Sequence, residues 1–189
     1  MKKKSMTTFQ LAGIALMTAF LCILGPITVA TPLSPVPISL ATFAIGLSGI
    51  LLGKRAGFLS CVLYLFMGCV GLPVFSGFRG GVGTLLGPTG GYLVGYLFLA
   101  AVSGSFAEHF MGSRFRDKIG LASGLLLGNG LLYVVGTLWL AYTAQLSYGA
   151  ALAAGVLPFL PGDVLKCLLA VWLGPQIRIR SQLRLENER

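Results

Sequence analysis

The chain has 189 residues, of which 56% are hydrophobic and only 10% charged. Soluble domains run about 45–50% apolar and about 25% charged, so a water-soluble globule is excluded; a disordered chain is excluded too, because apolar content this high does not stay solvated. The net charge of +9 would point to nucleic acid in a soluble protein, but here the basic residues stand between apolar stretches or at the ends, where orientation in a membrane accounts for them.

The bilayer is therefore the expected solvent. A spanning helix needs ~20 apolar residues, so six would use ~120 and leave no room for a soluble catalytic domain. Lys2, Lys3 and Lys4 precede a first predicted span over 9–29, which Gly25-Pro26 interrupts near its far end. A Pro/Ser loop over 31–37 leads to a short second span, 38–53. Lys54 and Arg55 separate it from a third, 57–75. A Gly-rich segment follows, Ser76-Gly77-Phe78-Arg79-Gly80-Gly81-Val82-Gly83, and closes on Gly87-Pro88-Thr89. Span four covers 90–110; Arg114, Arg116 and Lys118 then lead into span five, 119–142. The region 148–175 is broken by Pro158 and Pro161, so the sixth span is placed at 162–173 after a loop or half-helix. Arg178, Arg180, Arg184 and Arg189 close the chain.

With six spans both termini share a side. Twelve basic residues then fall on that side, against Arg79 alone on the other, with Lys166 inside span six. Cytoplasmic segments carry the excess of Lys and Arg, so the expected fold is an all-α polytopic membrane protein, a six-helix bundle forming one unit over 1–189 with both termini cytoplasmic. The first apolar run also has features of a cleavable signal peptide, but it is longer than the usual apolar region of one, and cleavage would leave the loop orientation unchanged. Cys22, Cys61, Cys69 and Cys167 lie inside apolar stretches without C-x-x-C or zinc spacing, so no metal is expected. Small residues recur four apart at Ala15/Ala19, Gly49/Gly53, Gly91/Gly95 and Gly120/Gly124/Gly128. That spacing lets helix backbones approach closely in lipid, either within this chain or against another membrane protein.

Polar groups at membrane depth cost about 2.5–3.5 kcal/mol for a central charge on insertion scales, so the few present are informative. They are Asn129 in span five and Asp163 and Lys166 in span six. Three apart, Asp163 and Lys166 share a helix face, near the outer end in this topology. They form either an ion pair that locks the bundle or a solute site with one acceptor and one donor. Irregular backbone survives in a bilayer only where protein or a water-filled cavity surrounds it, and the segments 31–37, 76–89 and 158–162 all fall on the outer side. There Thr89-Gly90-Gly91-Tyr92 opens a helix whose N–H groups can meet an anion, and Arg79 can hold a carboxylate. Enzyme signals are thin: the Glu108-His109 pair sits at a membrane boundary, and neither G-x-S-x-G nor H-E-x-x-H occurs. Gly49–Lys54 fails the phosphate-loop pattern, with Ser48 before it and Arg55 after Lys54. Concentrating a solute would thus draw on an ion gradient or a partner.

Gly87-Pro88-Thr89-Gly90-Gly91-Tyr92-Leu93 and Pro158-Phe159-Leu160-Pro161-Gly162-Asp163-Val164-Leu165-Lys166 resemble motifs of the biotin-binding substrate component of energy-coupling-factor transporters. Val36-Pro37-Ile38-Ser39-Leu40-Ala41-Thr42 is similar to that family's first outer loop and the start of its second span, with Ala41 where members often carry Gln. The resemblance covers nearly the whole chain. It implies a six-helix bundle holding the vitamin near the outer face, with 31–37 as a lid. It also implies partners, a membrane coupling protein and two cytoplasmic ATPases, docked on an Ala-x-x-x-Ala surface that Ala15 and Ala19 match. No cofactor is implied; biotin is cargo.

Biotin presents a ureido group with two N–H donors and one carbonyl, an apolar body and a carboxylate tail. Asp163 and Asn129 can accept the ureido N–H groups, and Lys166 can donate to the carbonyl or meet the carboxylate. Arg79 or the Thr89, Gly90 and Gly91 backbone can meet the other anionic end, and Tyr92 and Phe78 can cover the apolar body. Val36, Pro37 and Ser39 complete the expected site from the first outer loop. The expected function is a biotin-binding subunit of the bacterial cytoplasmic membrane, driven by its ATPase partners. Its rivals are a solitary ion-coupled carrier of a small carboxylate vitamin and a membrane enzyme using Glu108 and His109.

Overall fold

Proline and glycine set the limits of the first helix. α1 (Thr8–Leu24) begins at a capping box in which Thr7 and Gln10 bond each other's backbone, and it stops short of the expected residue 29 because Pro26 has no N–H to continue the ladder. Gly25 is required there, since a side-chain carbon would lie 2.6 Å from the Val74 carbonyl oxygen. The chain then forms a short antiparallel ladder, β1 (Thr28–Val29) with β2 (Ile38–Ser39), pairing Thr28 with Ser39 and Val29 with Ile38. The computed structural model describes residues 6–29, 35–110 and 115–187, with side chains to 178. Lys2–Lys4, Thr31–Ser34 of the expected lid, Arg114 and the side chains of Arg180, Arg184 and Arg189 lie outside the described residues.

The expected second and third spans occupy α2 (Ala41–Cys69), which is broken at Gly53 (φ 81°, ψ −179°). The halves 41–52 and 54–69 fold back on one another; a side-chain carbon on Gly57 would lie 2.9 Å from the Gly49 Cα. The break is held by side chains from other helices. Glu108 Oε1 accepts the Lys54 N–H at 2.8 Å, and Arg178 donates to the Ile50 carbonyl at 2.6 Å. A glycine is needed at the turn because positive φ strains any residue with a Cβ. Gly53→Ala is expected to cost about 1–3 kcal/mol, aggravated by a carbon 2.9 Å from Glu108 Oε1. Thermal unfolding in detergent checks this against Gly130→Ala, a helical position with nothing within 4 Å, where stability should hold or rise.

Beyond α2, Phe75 and Arg79 pair their backbones, and a five-residue helix, α3 (Val82–Leu86), forms inside the Gly-rich segment. α4 (Gly90–His109) is the central helix, packed against both α2 and α5 (Phe115–Thr143). Glycines make those approaches possible: a Cβ on Gly104 would fall 2.6 Å from the Lys54 Cα, and one on Gly95 3.0 Å from the Leu132 Cα. Gly120, Gly124 and Gly128 of α5 receive Phe110, just past the end of α4, and Phe106 and Leu99 of α4. The glycine pairs therefore seat neighbours within the chain, whereas Ala15 and Ala19 are exposed. α6 (Tyr148–Gly155) meets α7 (Leu160–Asn187) at a 50° bend. Pro161 is tolerated because first-turn amides lack intrahelical partners anyway.

α2, α4 and α5 are long and apolar enough to cross a membrane, and α6 with α7 makes a fourth candidate if the bent pair is one span. The sequence-based expectation is six. The lower count arises because α1 has only 17 residues and the two halves of α2 count as one helix.

Candidate functional site

The first turn of α7 carries Asp163, where a helix N-terminus favours negative charge, and Lys166 follows one turn on. The Lys166 ammonium lies 2.7 Å from Asp163 Oδ1. It also donates to the Ser39 carbonyl at 2.6 Å and to Thr42 Oγ1 at 3.2 Å. Thr42 in turn donates to Asp163 Oδ1 at 3.2 Å, while the Tyr133 hydroxyl of α5 donates to Asp163 Oδ2. One buried carboxylate, 6% exposed, thus gathers groups from α2, α5 and α7, and the ammonium ties them to β2. A charge so deep is tolerable only when paired and hydrogen-bonded.

This cluster forms part of the wall of a cavity. Much of the remaining wall is aromatic and aliphatic, from Phe75, Tyr92, Leu93, Tyr96, Leu132 and Phe159. Arg79, exposed, lies on the wall and makes no ion pair among the described residues. The Asp163–Lys166 pair cancels its own charge, so Arg79 leaves the cavity net positive. Such a space suits a solute with a hydrogen-bonding head, an apolar body and an anionic tail.

Of the residues singled out from sequence, Asp163, Lys166, Arg79, Tyr92, Thr89, Val36, Pro37 and Ser39 line this cavity. Asn129 does not; it borders a smaller void beside the cluster, where its amide nitrogen meets Cys167 Sγ at 3.4 Å and its Oδ1 has no hydrogen-bond partner among the described residues. Gly90 and Gly91 are packing positions, pressed against the Leu85 carbonyl and the Trp139 side chain. The Gly90 and Tyr92 N–H groups are already taken by the Gly87 and Thr89 carbonyls, so the start of α4 offers less to an anion than its glycines suggest. Phe78 is 70% exposed at φ 57° and is not in the wall. Tyr133, Thr42, Tyr96, Phe75 and Phe159 are lining residues that sequence reasoning did not select. Tyr133 had a signal, since it stands four residues after Asn129 and so shares its helix face.

A model of the BioY family matches residues 1–182. A biotin transporter BioY of Rhizobium etli is 33% identical over 178 residues, covering 92% of this chain and 95% of that one. One of Rhodobacter capsulatus is 37% identical over 168 residues, 82% of this chain and 86% of that one. The match to the Thermotoga maritima biotin transporter BioY is 43% identical over 99 residues and spans little more than half of either chain, 52% and 57%. Among solved structures, an S-component for biotin from an ECF-type ABC transporter superposes with a TM-score of 0.82 at 33% identity, covering 92% of this chain and 95% of that one.

Proposed function

We propose, from the premise that the chain belongs to the BioY family, that it is an integral membrane subunit that captures biotin and delivers it inward with energy-coupling partners. The observation that carries this reading is a charged, hydrogen-bonded pair in the wall of an otherwise mainly apolar cavity, with Arg79, which makes no ion pair among the described residues, on the same wall. The ureido ring sits against the charged pair, where Asp163 accepts N–H groups and Lys166 or Tyr133 donates to the carbonyl. Phe75, Tyr92 and Phe159 enclose the apolar rings, and Arg79 receives the carboxylate. Sites built around buried polar groups reject analogues that leave those groups unpaired.

The same reading assigns six spans: α1, the α2 halves 41–52 and 54–69, α4, α5, and α7 with α6 as its bent prelude. The twelve basic residues that fall on one side in this topology support cytoplasmic termini, and the cavity would then face outward from a bacterial cytoplasmic membrane. Partners would be a membrane coupling protein and two ATPases. The relatives are named as transporters rather than enzymes, and the likeness to an ECF S-component disfavours a solitary ion-coupled carrier.

Mass spectrometry of small molecules released from the purified protein tests the ligand. Biotin is expected at near-equimolar amount. Biotin added at about 100 times its Kd should stabilise the folded protein by about 2.7 kcal/mol. A different compound at stoichiometric occupancy, or no stabilisation at saturating biotin, would overturn the assignment.

A further inference from the structure

α5 and α7 meet near the site, where Tyr133 reaches Asp163 and Asn129 reaches Cys167. Farther along α7, side chains of the two helices line an open, shallow groove. Its walls are Ile119 and Ala122 from α5 and Leu168, Val171 and Trp172 from α7, with Lys118 at its end. Trp172 is 58% exposed. Lys118 immediately precedes the apolar run of α5, is exposed, and makes no ion pair among the described residues; Arg116 is exposed beside it. This lies on the side to which the proposed topology assigns twelve basic residues. An apolar slot ending in an unpaired cation at the membrane boundary is complementary to one kind of molecule above all, an acyl chain carrying a negative headgroup. Basic pockets between membrane helices on the cytoplasmic side bind anionic lipid headgroups, and each Lys or Arg near the surface contributes about 1 kcal/mol.

We propose that the α5/α7 groove binds an anionic phospholipid of the cytoplasmic leaflet, its acyl chain against Ala122, Leu168 and Val171 and its phosphate at Lys118. The lipid fills the groove between the two helices and braces the inner half of the helix whose outer end carries Asp163 and Lys166. The site lies apart from α1, which packs on α2.

The test uses the full chain in phosphatidylcholine nanodiscs doped with acyl-brominated lipid, a short-range quencher of tryptophan fluorescence. The chain has two tryptophans. Trp139 donates to the Gly87 carbonyl beside the start of α4, remote from the groove, so headgroup-dependent quenching reports Trp172. Brominated phosphatidylglycerol is expected to occupy the site with about fivefold preference over brominated phosphatidylcholine, diminishing in high salt. Trp172→Phe should remove the headgroup-dependent part. Lys118→Gln should equalise the two lipids while leaving biotin affinity within twofold, which also shows that the variant is folded. Ala122→Phe should close the slot and abolish the preference. Equal quenching by both lipids in the unaltered protein, or a preference that survives Lys118→Gln, would overturn the proposal. So would a Trp172 shielded from both lipids in a cross-linkable dimer, because a second copy of the chain would then cover the groove.

Discussion

Asp163→Asn is expected to weaken biotin binding by about 100-fold. Truncating one partner of a buried, hydrogen-bonded charge pair costs about 2–5 kcal/mol, and 2.7 kcal/mol is a factor of about 100. The amide keeps the shape of the carboxylate but halves its accepting capacity. In the native protein Oδ1 accepts from Lys166 and Thr42, and Oδ2 accepts from Tyr133. After the change one of those donors faces an NH2 group, and the Lys166 ammonium keeps only the Ser39 carbonyl, Thr42 and a neutral amide. The loss has two sources, a missing acceptor for the ligand and an uncompensated buried cation, and they separate experimentally. Asp163→Asn combined with Lys166→Met removes both charges; it should recover thermal stability, as replacement of buried ion pairs by apolar groups often does, but not affinity. Tyr133→Phe removes one donor and should cost only about 5–10-fold, the range of a single hydrogen bond of about 1–1.4 kcal/mol. Titration calorimetry in detergent reads all three. Unchanged affinity in Asp163→Asn would mean that the pair locks the helices and that the vitamin binds elsewhere.

The charged pair was legible because Asp163 and Lys166 interrupt an apolar stretch at a spacing that only a helix turns into a contact. Tyr133 was not: a tyrosine in an apolar helix is ordinary, and its role depends on the register of α5 against α7, which no local pattern encodes. Gly90 and Gly91 illustrate the opposite difficulty. A glycine pair at a helix start suits an anion cradle and tight packing equally, and only the positions of Leu85 and Trp139 decide between them. Helix ends were misplaced where charge and length diverge. Arg116, Asp117 and Lys118 lie outside an apolar window yet sit within a helix, so α5 starts at Phe115; α7 continues through Pro175 to Asn187 for the same reason. The Gly53 turn was legible as a boundary between spans, but the side chains that hold it, Glu108 and Arg178, come from 55 and 125 residues further along the chain.

Ala15→Trp and Ala19→Trp should leave biotin affinity within about twofold and eliminate recovery of the proposed ATPase partners. α1 has two faces of different character. Ile14, Met17, Thr18 and Leu21 are buried, and Thr18 Oγ1 fixes that face to α2 by lying 3.3 Å from the Ser60 carbonyl oxygen. Ala15 and Ala19 lie on the other face, exposed among Leu11, Leu16 and Ile23. Exposed leucine and isoleucine are unremarkable in contact with lipid, since lipid tails are as apolar as leucine. Two alanines one turn apart are different: they form a shallow track along which another helix backbone can approach to van der Waals distance. A tryptophan there projects from the exposed face of α1, so the fold and the cavity are expected to hold, yet it keeps a partner helix several ångströms off. Co-purification from membranes and ATP-driven uptake in vesicles measure the loss, and Leu16→Trp, beside the track, should be far milder. Survival of the complex in both alanine variants would place the coupling surface on another helix. Loss of biotin binding instead would show that α1 is not insulated from the site, contrary to its packing on α2 alone among the larger contacts of the fold.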